Sequence, residues 1–350
     1  MTSQSRIRVL IVDDSAIVRK VLTDALSGEP DIEVVGTAPD PYVARDKILA
    51  LKPDVLTLDL EMPRMDGLTF LKKVMHYQPM PVIVISSLGV ASSQAALQAL
   101  EAGAIDVLAK PGGPQSVGEL RHTVAAKIRA ARAARLRKSE HAPQVSRPSV
   151  LKCSPPFASS AVIAIGASTG GTEAIRHVLA GLPENAPGVV IAQHIPAVFS
   201  HSFANRLNEL CAMQVREARD GDKLEPGVAL IAPGGFHMLL RRGSSGYRVE
   251  IKDGPLVCFQ RPAVDVLFHS VAEVAGSNAT AAILTGMGSD GVHGMLALKK
   301  VGARTIAQDE ESCVVFGMPK EAIKVGAVDH VLPLTAIADA LLAGSRQCSR

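Results

Sequence analysis

The chain has 350 residues, 47% of them hydrophobic and 20% charged, a profile typical of folded globular proteins and not of disordered chains. A formal net charge of +3 is too small to indicate nucleic-acid binding. The sequence shows no signal-peptide pattern, no membrane-length apolar run and no CxxC pair. We therefore expect a cytoplasmic monomer with reduced cysteines that neither binds nucleic acid nor inserts into a membrane.

The first third of the chain alternates short apolar runs with amphipathic segments. Residues 9–12, 55–58 and 82–85 are continuously apolar, as in strands that are buried on both faces of a parallel sheet. Residues 17–26 place their apolar side chains on one helical stripe. This alternation predicts a doubly wound α/β domain with a parallel sheet.

Chemically active side chains follow the predicted strands of this domain. Carboxylates end two of them, at Asp13, Asp14 and Asp59, and two further strand ends supply Ser86 and Lys110. The carboxyl ends of parallel strands meet in one crevice, where clustered carboxylates require a hard cation such as Mg²⁺. Together with a hydroxyl and an ammonium group, this set predicts phosphoryl transfer to an aspartate.

The same motifs resemble the receiver domain of response regulators. They are VDDS at residues 12–15, LD at 58–59, MPRMDG at 62–67, Ser86 and the KP pair at 110–111. The resemblance implies a flavodoxin-like fold in which Asp59 accepts phosphate from a histidine kinase. It also implies that Asp13 and Asp14, with Asp59, hold Mg²⁺, and that Ser86 and Lys110 sense the phosphoryl group.

A change of composition separates this domain from the rest of the chain. Residues 119–138 are rich in Ala and Arg and predict a helix, and residues 139–160 are rich in Pro and Ser without an apolar period. The basic residues of this helix could bind nucleic acid or acidic lipid, but a solvated helix face is the more frequent explanation. We predict a receiver domain at 1–125, a helical and Pro/Ser-rich linker at 126–158 and a catalytic domain at 159–345.

Alternation restarts at residue 161 and predicts a second parallel, Rossmann-like α/β domain. Its first predicted strand leads into the glycine-rich run GASTGGT at residues 166–172, which contains Ser168. Glycine-rich turns of this kind also bind phosphates, but neither the GxGxxG spacing nor the GK[ST] ending is present. His194 and Asp290 follow two other predicted strands. One crevice can collect all three side chains, so we predict a Ser168, His194, Asp290 triad.

This second domain resembles the catalytic domain of the chemotaxis protein-glutamate methylesterase/protein-glutamine glutaminase (CheB) family. The resemblance rests on GASTGG at 166–171, QHIP at 193–196, RPAVD at 261–265, GMGSDG at 286–291 and QDEESCVVFGMP at 308–319. It implies hydrolysis of glutamate methyl esters on the cytoplasmic helices of chemoreceptors, deamidation of receptor glutamines, and an oxyanion donor in the backbone N–H of Met287. No cofactor is expected for hydrolysis. The family often has a basic, His-containing stretch where this chain has CFQ at 258–260.

Regulation and rival functions follow from the two-domain organisation. We hypothesise that the unphosphorylated receiver covers the catalytic cleft and that phosphorylation of Asp59 weakens this packing.

One alternative to a chemotaxis methylesterase is a receiver-controlled serine esterase or amidase of a pathway other than chemotaxis. Another is a response regulator whose second domain only binds a protein. A transcription factor is disfavoured, because the second half is long and rich in strands.

Overall fold

The computed structural model describes residues 6–87, 89–110, 117–135, 157–158, 160–244 and 246–345. Contacts within the chain divide it into two units, Met1–Lys138 and Ser139–Arg350. Most of the predicted linker, at residues 136–156, lies outside the described residues, as does the Gly-Gly-Pro run at 112–114. No helix among the described residues has both the length and the apolar character that crossing a membrane requires.

The described part of the first unit alternates strands and helices along the chain. Its elements are β1 (Ile7–Val12), α1 (Ala16–Ser27), β2 (Ile32–Ala38), α2 (Pro41–Leu51), β3 (Val55–Asp59), α3 (Gly67–Tyr77), β4 (Val82–Ser86), α4 (Val90–Glu101), β5 (Asp106–Ala109) and α5 (Val117–Ala133).

The strands of the first unit form one parallel sheet in the order β2-β1-β3-β4-β5. This is the flavodoxin-like order, and it confirms the predicted doubly wound fold. Every residue of β3 and β4 is buried, as continuous apolar runs require. Side-chain caps begin the helices: Asp40 accepts two backbone N–H groups at the start of α2, and Asp66 accepts the N–H of Thr69 in α3.

Helix α5 packs within the first unit. Val124, Ala125 and Ile128 are buried, and the helix contacts α1, β3 and β4. The predicted boundary at residue 125 therefore falls inside a helix, because apolar side chains beyond it continue the same buried stripe. On the basic face, Arg129 makes ion pairs with Glu29 and Asp31 while its side chain stays 34% exposed.

The second unit is larger and contains more strands in its described part. Its elements are β6 (Val162–Ala167), α6 (Gly171–Ala180), β7 (Gly188–Gln193), α7 (Ala197–Leu210), β8 (Gln214–Glu217), β9 (Lys223–Leu224), β10 (Val228–Ile231), β11 (His237–Gly243), β12 (Gly246–Lys252), α8 (Val264–Ala275), a 3₁₀ turn (Gly276–Asn278), β13 (Ala279–Ile283), α9 (Val292–Lys300), β14 (Arg304–Gln308), α10 (Met318–Lys324), β15 (His330–Leu332) and α11 (Leu334–Gly344).

The main sheet of the second unit is parallel, in the order β15-β14-β13-β6-β7-β10-β8. Its central strands β6, β7 and β13 are fully buried. The chain enters the sheet at β6 and adds strands on both sides of it, so a topological switch point lies beside β6. A smaller antiparallel sheet, β11-β12-β9, accompanies the main sheet and was not predicted.

Candidate active site

Ser168 lies on a tight turn between β6 and α6. Its N–H donates to the carbonyl of Thr285, and its own carbonyl accepts the N–H of Gly171. Gly170 precedes the helix with a φ of 76°, in the left-handed region that glycine enters at low cost. The turn therefore presents the Ser168 hydroxyl at the carboxyl end of β6.

The three side chains of the predicted triad meet at this point. Ser168 Oγ lies 3.0 Å from Nδ1 of His194, and Nε2 of His194 lies 2.7 Å from Oδ2 of Asp290. The strands before these residues, β13, β6 and β7, are neighbours in the sheet, which explains why residues up to 122 positions apart come together. All three are buried, and the exposed fraction of Ser168 is 5%.

Asp290 is held as a carboxylate by its surroundings. Besides His194, the backbone N–H groups of Val264 and Asp265 donate to its two oxygens at 2.7 and 2.9 Å. Burial opposes ionisation, but the hydrogen bond and charge of His194 and these two N–H groups bring the pKa of Asp290 below its ordinary value. Neighbouring Asp265 differs, because burial raises its pKa and the hydrogen bond from the Gly294 N–H offsets this only in part.

The geometry assigns a proton position on His194. A carboxylate accepts hydrogen bonds and cannot donate them, so Nε2 carries the hydrogen that points to Asp290. Nδ1 is then the acceptor that faces the Ser168 hydroxyl. In chymotrypsin-like triads the two ring nitrogens have the opposite partners, Nε2 facing serine and Nδ1 facing aspartate. The chemical roles are the same in either orientation.

The backbone at Gly286 lies directly against the serine. A methyl group added at Gly286 would come within 2.6 Å of Ser168 Cβ, so only glycine permits this approach. Among the described residues, no backbone carbonyl accepts the N–H of the next residue, Met287. Its role as an oxyanion donor stays a prediction.

Three further polar residues hold the site together and were given no role from the sequence. Gln193 Nε2 donates to the carbonyls of Ser168 and His194, at 2.8 and 3.2 Å. Thr285 Oγ1 donates to the carbonyl of Thr169, and Gln308 Oε1 accepts the N–H of Thr285. A clue for Gln193 and Gln308 was their presence in the family-like motifs, but their hydrogen bonds to Ser168 and Thr285 join segments 25 and 23 residues apart.

A further histidine, His237, begins strand β11 and is buried. Its Nδ1 accepts the N–H of Ala263, so Nε2 carries the hydrogen that it donates to the carbonyl of Pro255. Both nitrogens are used in bracing the segment before α8. We therefore assign His237 a structural role.

The candidate phosphoryl site lies at the carboxyl ends of β1, β3 and β5. Carboxylate oxygens of Asp13, Asp14 and Asp59 lie within 4.8 Å of one another. Lys110 Nζ is 2.7 Å from Asp59 Oδ2 and 3.7 Å from Asp13 Oδ2. Ser86 is buried at the end of β4, and its hydroxyl donates to the carbonyl of Ser92 in α4, not to Asp59.

The carboxylates of this site fit a divalent cation. Burial, followed by the charge of Asp59, raises the pKa of Asp13 to about 6, and burial also raises the pKa of Asp59. Asp13 Oδ2 is buried without a hydrogen-bond partner among the described residues. Oxygen ligands and an uncompensated negative charge suit Mg²⁺, for which Asp13, Asp14 and Asp59 are the available ligands.

Comparison with known proteins assigns both units. Residues 163–341 match the CheB methylesterase family, and residues 9–122 match the response regulator receiver domain. Protein-glutamate methylesterase/protein-glutamine glutaminase 2 of Syntrophus aciditrophicus is 57% identical, over 97% of this chain and 99% of that protein. The Salmonella typhimurium (strain LT2) protein-glutamate methylesterase/protein-glutamine glutaminase is 54% identical, over 97% of each chain.

One solved structure resembles the second unit. The Thermotoga maritima CheB methylesterase catalytic domain is 40% identical, with a TM-score of 0.52, and the match covers 53% of this chain and 99% of that domain.

Proposed function

This chain belongs to the CheB methylesterase family, and from that premise we propose that it is a phosphorylation-controlled serine hydrolase of chemotactic adaptation. It removes methyl groups from glutamate esters on chemoreceptors and deamidates receptor glutamines. The relatives that match over almost their full length carry both activities in their names. The observation that carries the proposal is the hydrogen-bonded chain from Ser168 through His194 to Asp290.

The first chemical step is attack on the ester carbonyl. The Ser168 hydroxyl transfers its proton to Nδ1 of His194 as its oxygen bonds to the carbonyl carbon. The ring then carries a positive charge, which the Asp290 carboxylate stabilises through Nε2. The Met287 N–H donates to the oxyanion, a contribution typically of about 3 kcal/mol.

The second half of the reaction restores the enzyme. His194 returns its proton to the leaving oxygen, methanol departs, and a glutamyl ester of Ser168 remains. Water, activated by the same nitrogen, attacks this ester and releases the glutamate carboxylate. With a glutamine substrate the leaving group is ammonia, and the acyl-enzyme is the same. No cofactor enters either reaction.

The receiver unit supplies the control. We propose that Asp59 accepts the phosphoryl group of a histidine kinase, with Asp13, Asp14 and Asp59 as Mg²⁺ ligands. The bound cation would neutralise charge on the transferred phosphoryl oxygens. Lys110, now paired with Asp59, would pair with the phosphoryl group, and Ser86 would turn its hydroxyl from Ser92 towards it.

Coupling between the units completes the proposal. The unphosphorylated receiver blocks receptor access to the catalytic cleft, and phosphorylation relieves the block. The functional division is a receiver, a linker and a catalytic domain, with the receiver extended to the end of α5.

All three triad residues come from one chain, which supports action as a monomer. A cytoplasmic location is part of the proposal, and the proposed kinase and receptor-helix partners support it.

The decisive experiment mixes purified full-length protein, Mg²⁺, a small phosphodonor and membranes that contain methyl-labelled receptors. Methanol release is followed for the wild type, Ser168→Ala and Asp59→Asn. Ser168→Ala is expected to lose activity by about 10⁶-fold, because the triad acts as a unit. Asp59→Asn is expected to keep basal activity and lose stimulation by the phosphodonor.

Rival functions give other results in the same assay. A purely protein-binding response regulator predicts no methanol release from the wild type. A hydrolase of another pathway predicts hydrolysis of simple methyl esters but not of the receptor. Either result would refute the proposed function.

A further inference from the structure

Large apolar side chains are exposed on three loops of the second unit, one of which carries Asp290. Phe236, Leu256, Phe259 and Met287 form this group, which we call the apolar rim. The exposed fraction of Phe259 is 74%, although a large apolar residue is ordinarily well buried. The other large apolar side chains exposed in the described part of this unit lie at helix ends and on β15, away from these loops.

Two rim loops approach segments that position the triad. Gly286, next to Met287, lies against Ser168. A methyl group added at Gly234, two residues before Phe236, would come within 2.5 Å of the backbone of Ala197, which begins α7 three residues after His194.

The third loop is tied to the carboxylate end of the triad. The thiol of Cys258, next to Phe259, lies within 4.8 Å of carboxylate oxygens of Asp290 and Asp265. Exposed apolar side chains therefore stand one or two residues along the chain from positions that contact Ser168, the start of α7 and Asp290.

Phe259 is held out at the tip of a tight hairpin. Val257 and Gln260 exchange both backbone hydrogen bonds, and the residues between them, Cys258 and Phe259, have φ values of 51° and 61°. Left-handed backbone is unfavourable for non-glycine residues, and such strain is found preferentially at binding and catalytic sites.

The base of this hairpin loop is braced, so the tip is presented on a rigid support. Arg261 pairs with Asp253 and donates to the carbonyl of Gly254, and His237 bridges Pro255 and Ala263. The left-handed turn and its braced base together keep the Phe259 ring exposed, one residue from Cys258, whose thiol lies near the Asp290 carboxylate.

We propose that the apolar rim, with Phe259 as its main contact, binds the substrate helix through apolar side chains one turn from the methylated glutamate. This inference rests on the proposed function and adds the kind of residue that the enzyme recognises around the ester. In a helix, residues three and four positions away lie on the same face as the target glutamate. Delivering that side chain to a serine that is only 5% exposed brings those neighbours onto the surrounding loops.

The test compares two substrates, so that recognition is separated from chemistry. Methylated receptor in membranes offers a helix, whereas a small γ-methyl ester of glutamate does not. For Phe259→Asn we expect the ratio of kcat/KM for receptor to kcat/KM for small ester to fall about tenfold, the scale of losing one buried aromatic contact. Phe259→Leu, which keeps an apolar side chain, should retain most of the ratio.

Two controls keep the result interpretable. Asn tolerates the left-handed backbone better than Phe does, so Phe259→Asn should unfold at the same temperature or higher, and a loss of ratio cannot then come from misfolding. Leu210→Asn removes an apolar side chain that is exposed at the end of α7, and it should leave the ratio unchanged.

The outcomes separate this inference from the proposed function. An unchanged ratio in Phe259→Asn, with active wild type, overturns the rim as a receptor contact and leaves the hydrolase intact. If that variant instead loses only binding to protein-free lipid vesicles, the rim contacts membrane and the inference is also wrong. Failure of the wild type to demethylate receptor at all refutes the proposed function itself.

Discussion

At the scale of single residues, the orientation of the His194 ring governs the chemistry. Nε2 faces Asp290 and Nδ1 faces Ser168, so the resting proton belongs to Nε2. Both oxygens of Asp290 are also occupied by backbone N–H groups. An ionised carboxylate is the one form of this side chain that satisfies all three donors.

We predict that Asp290→Asn lowers kcat for methanol release by about 10⁴-fold. Whichever way the new amide group is turned, its NH₂ would face a backbone N–H, so that two donors would meet without an acceptor. The negative charge that stabilises protonated His194 would also be lost. Asp265→Asn is the matched control, because an amide oxygen still accepts the N–H of Gly294. Its kcat should stay within about tenfold of the wild type. More than a tenth of normal activity in Asp290→Asn would contradict the assigned role.

Gln193 positions the serine and the histidine relative to each other. Its amide nitrogen joins the carbonyls of Ser168 and His194 in a buried setting. We predict that Gln193→Leu lowers kcat about 10²-fold with little change in KM, because small displacements of reacting groups are costly. Steady-state kinetics on a small ester would measure this. Reduced stability with an unchanged kcat would show that the residue is only structural.

At the scale of elements, α5 belongs to the receiver through charge as well as apolar contact. Arg129 pairs with Glu29 and Asp31, next to β2. Hydrogen bonds from Arg121 and then Arg129 lower the pKa of Glu29, and those from Arg129 lower the pKa of Asp31. Lowered pKa values mean that folding favours the ionised carboxylates.

We predict that Arg129→Ala lowers the free energy of unfolding by about 1 kcal/mol at pH 7. The stabilisation is complete above the unfolded pKa values, near 4, and is lost as the pH falls through the lower folded values. The difference between wild type and variant should therefore be smaller at pH 3 than at pH 7. Urea unfolding at both pH values measures it. Arg45→Ala, which removes an exposed pair with Asp46, should have almost no effect.

At the scale of the whole molecule, control by the receiver predicts a gain of activity on truncation. Deleting residues 1–150 should raise receptor demethylation by the unphosphorylated enzyme about 5- to 150-fold, the range of a coupling of 1–3 kcal/mol. The phosphodonor should no longer stimulate the fragment. Receptor assays on the intact chain and the fragment make the comparison, with a small ester as a check that the fragment is folded. Unchanged or lower receptor activity would contradict simple occlusion.

The amino-acid sequence by itself determined the class of each unit and the positions of its reactive groups. Continuous apolar runs could be recognised as buried parallel strands, because burial on both faces leaves no alternation. Carboxylates, Ser168 and His194 stand directly after such runs, and parallel strands present their carboxyl ends on one side. The residues that meet at Ser168 could therefore be named without coordinates.

Only the tertiary structure decided how these groups meet. The neighbouring order of β13, β6 and β7, the His194 ring orientation and the backbone donors to Asp290 depend on contacts between distant segments. The same holds for the antiparallel β11-β12-β9 sheet and for the packing of α5. Local periodicity reports how a segment is buried, whereas strand order and hydrogen-bond partners are settled by packing across the whole unit.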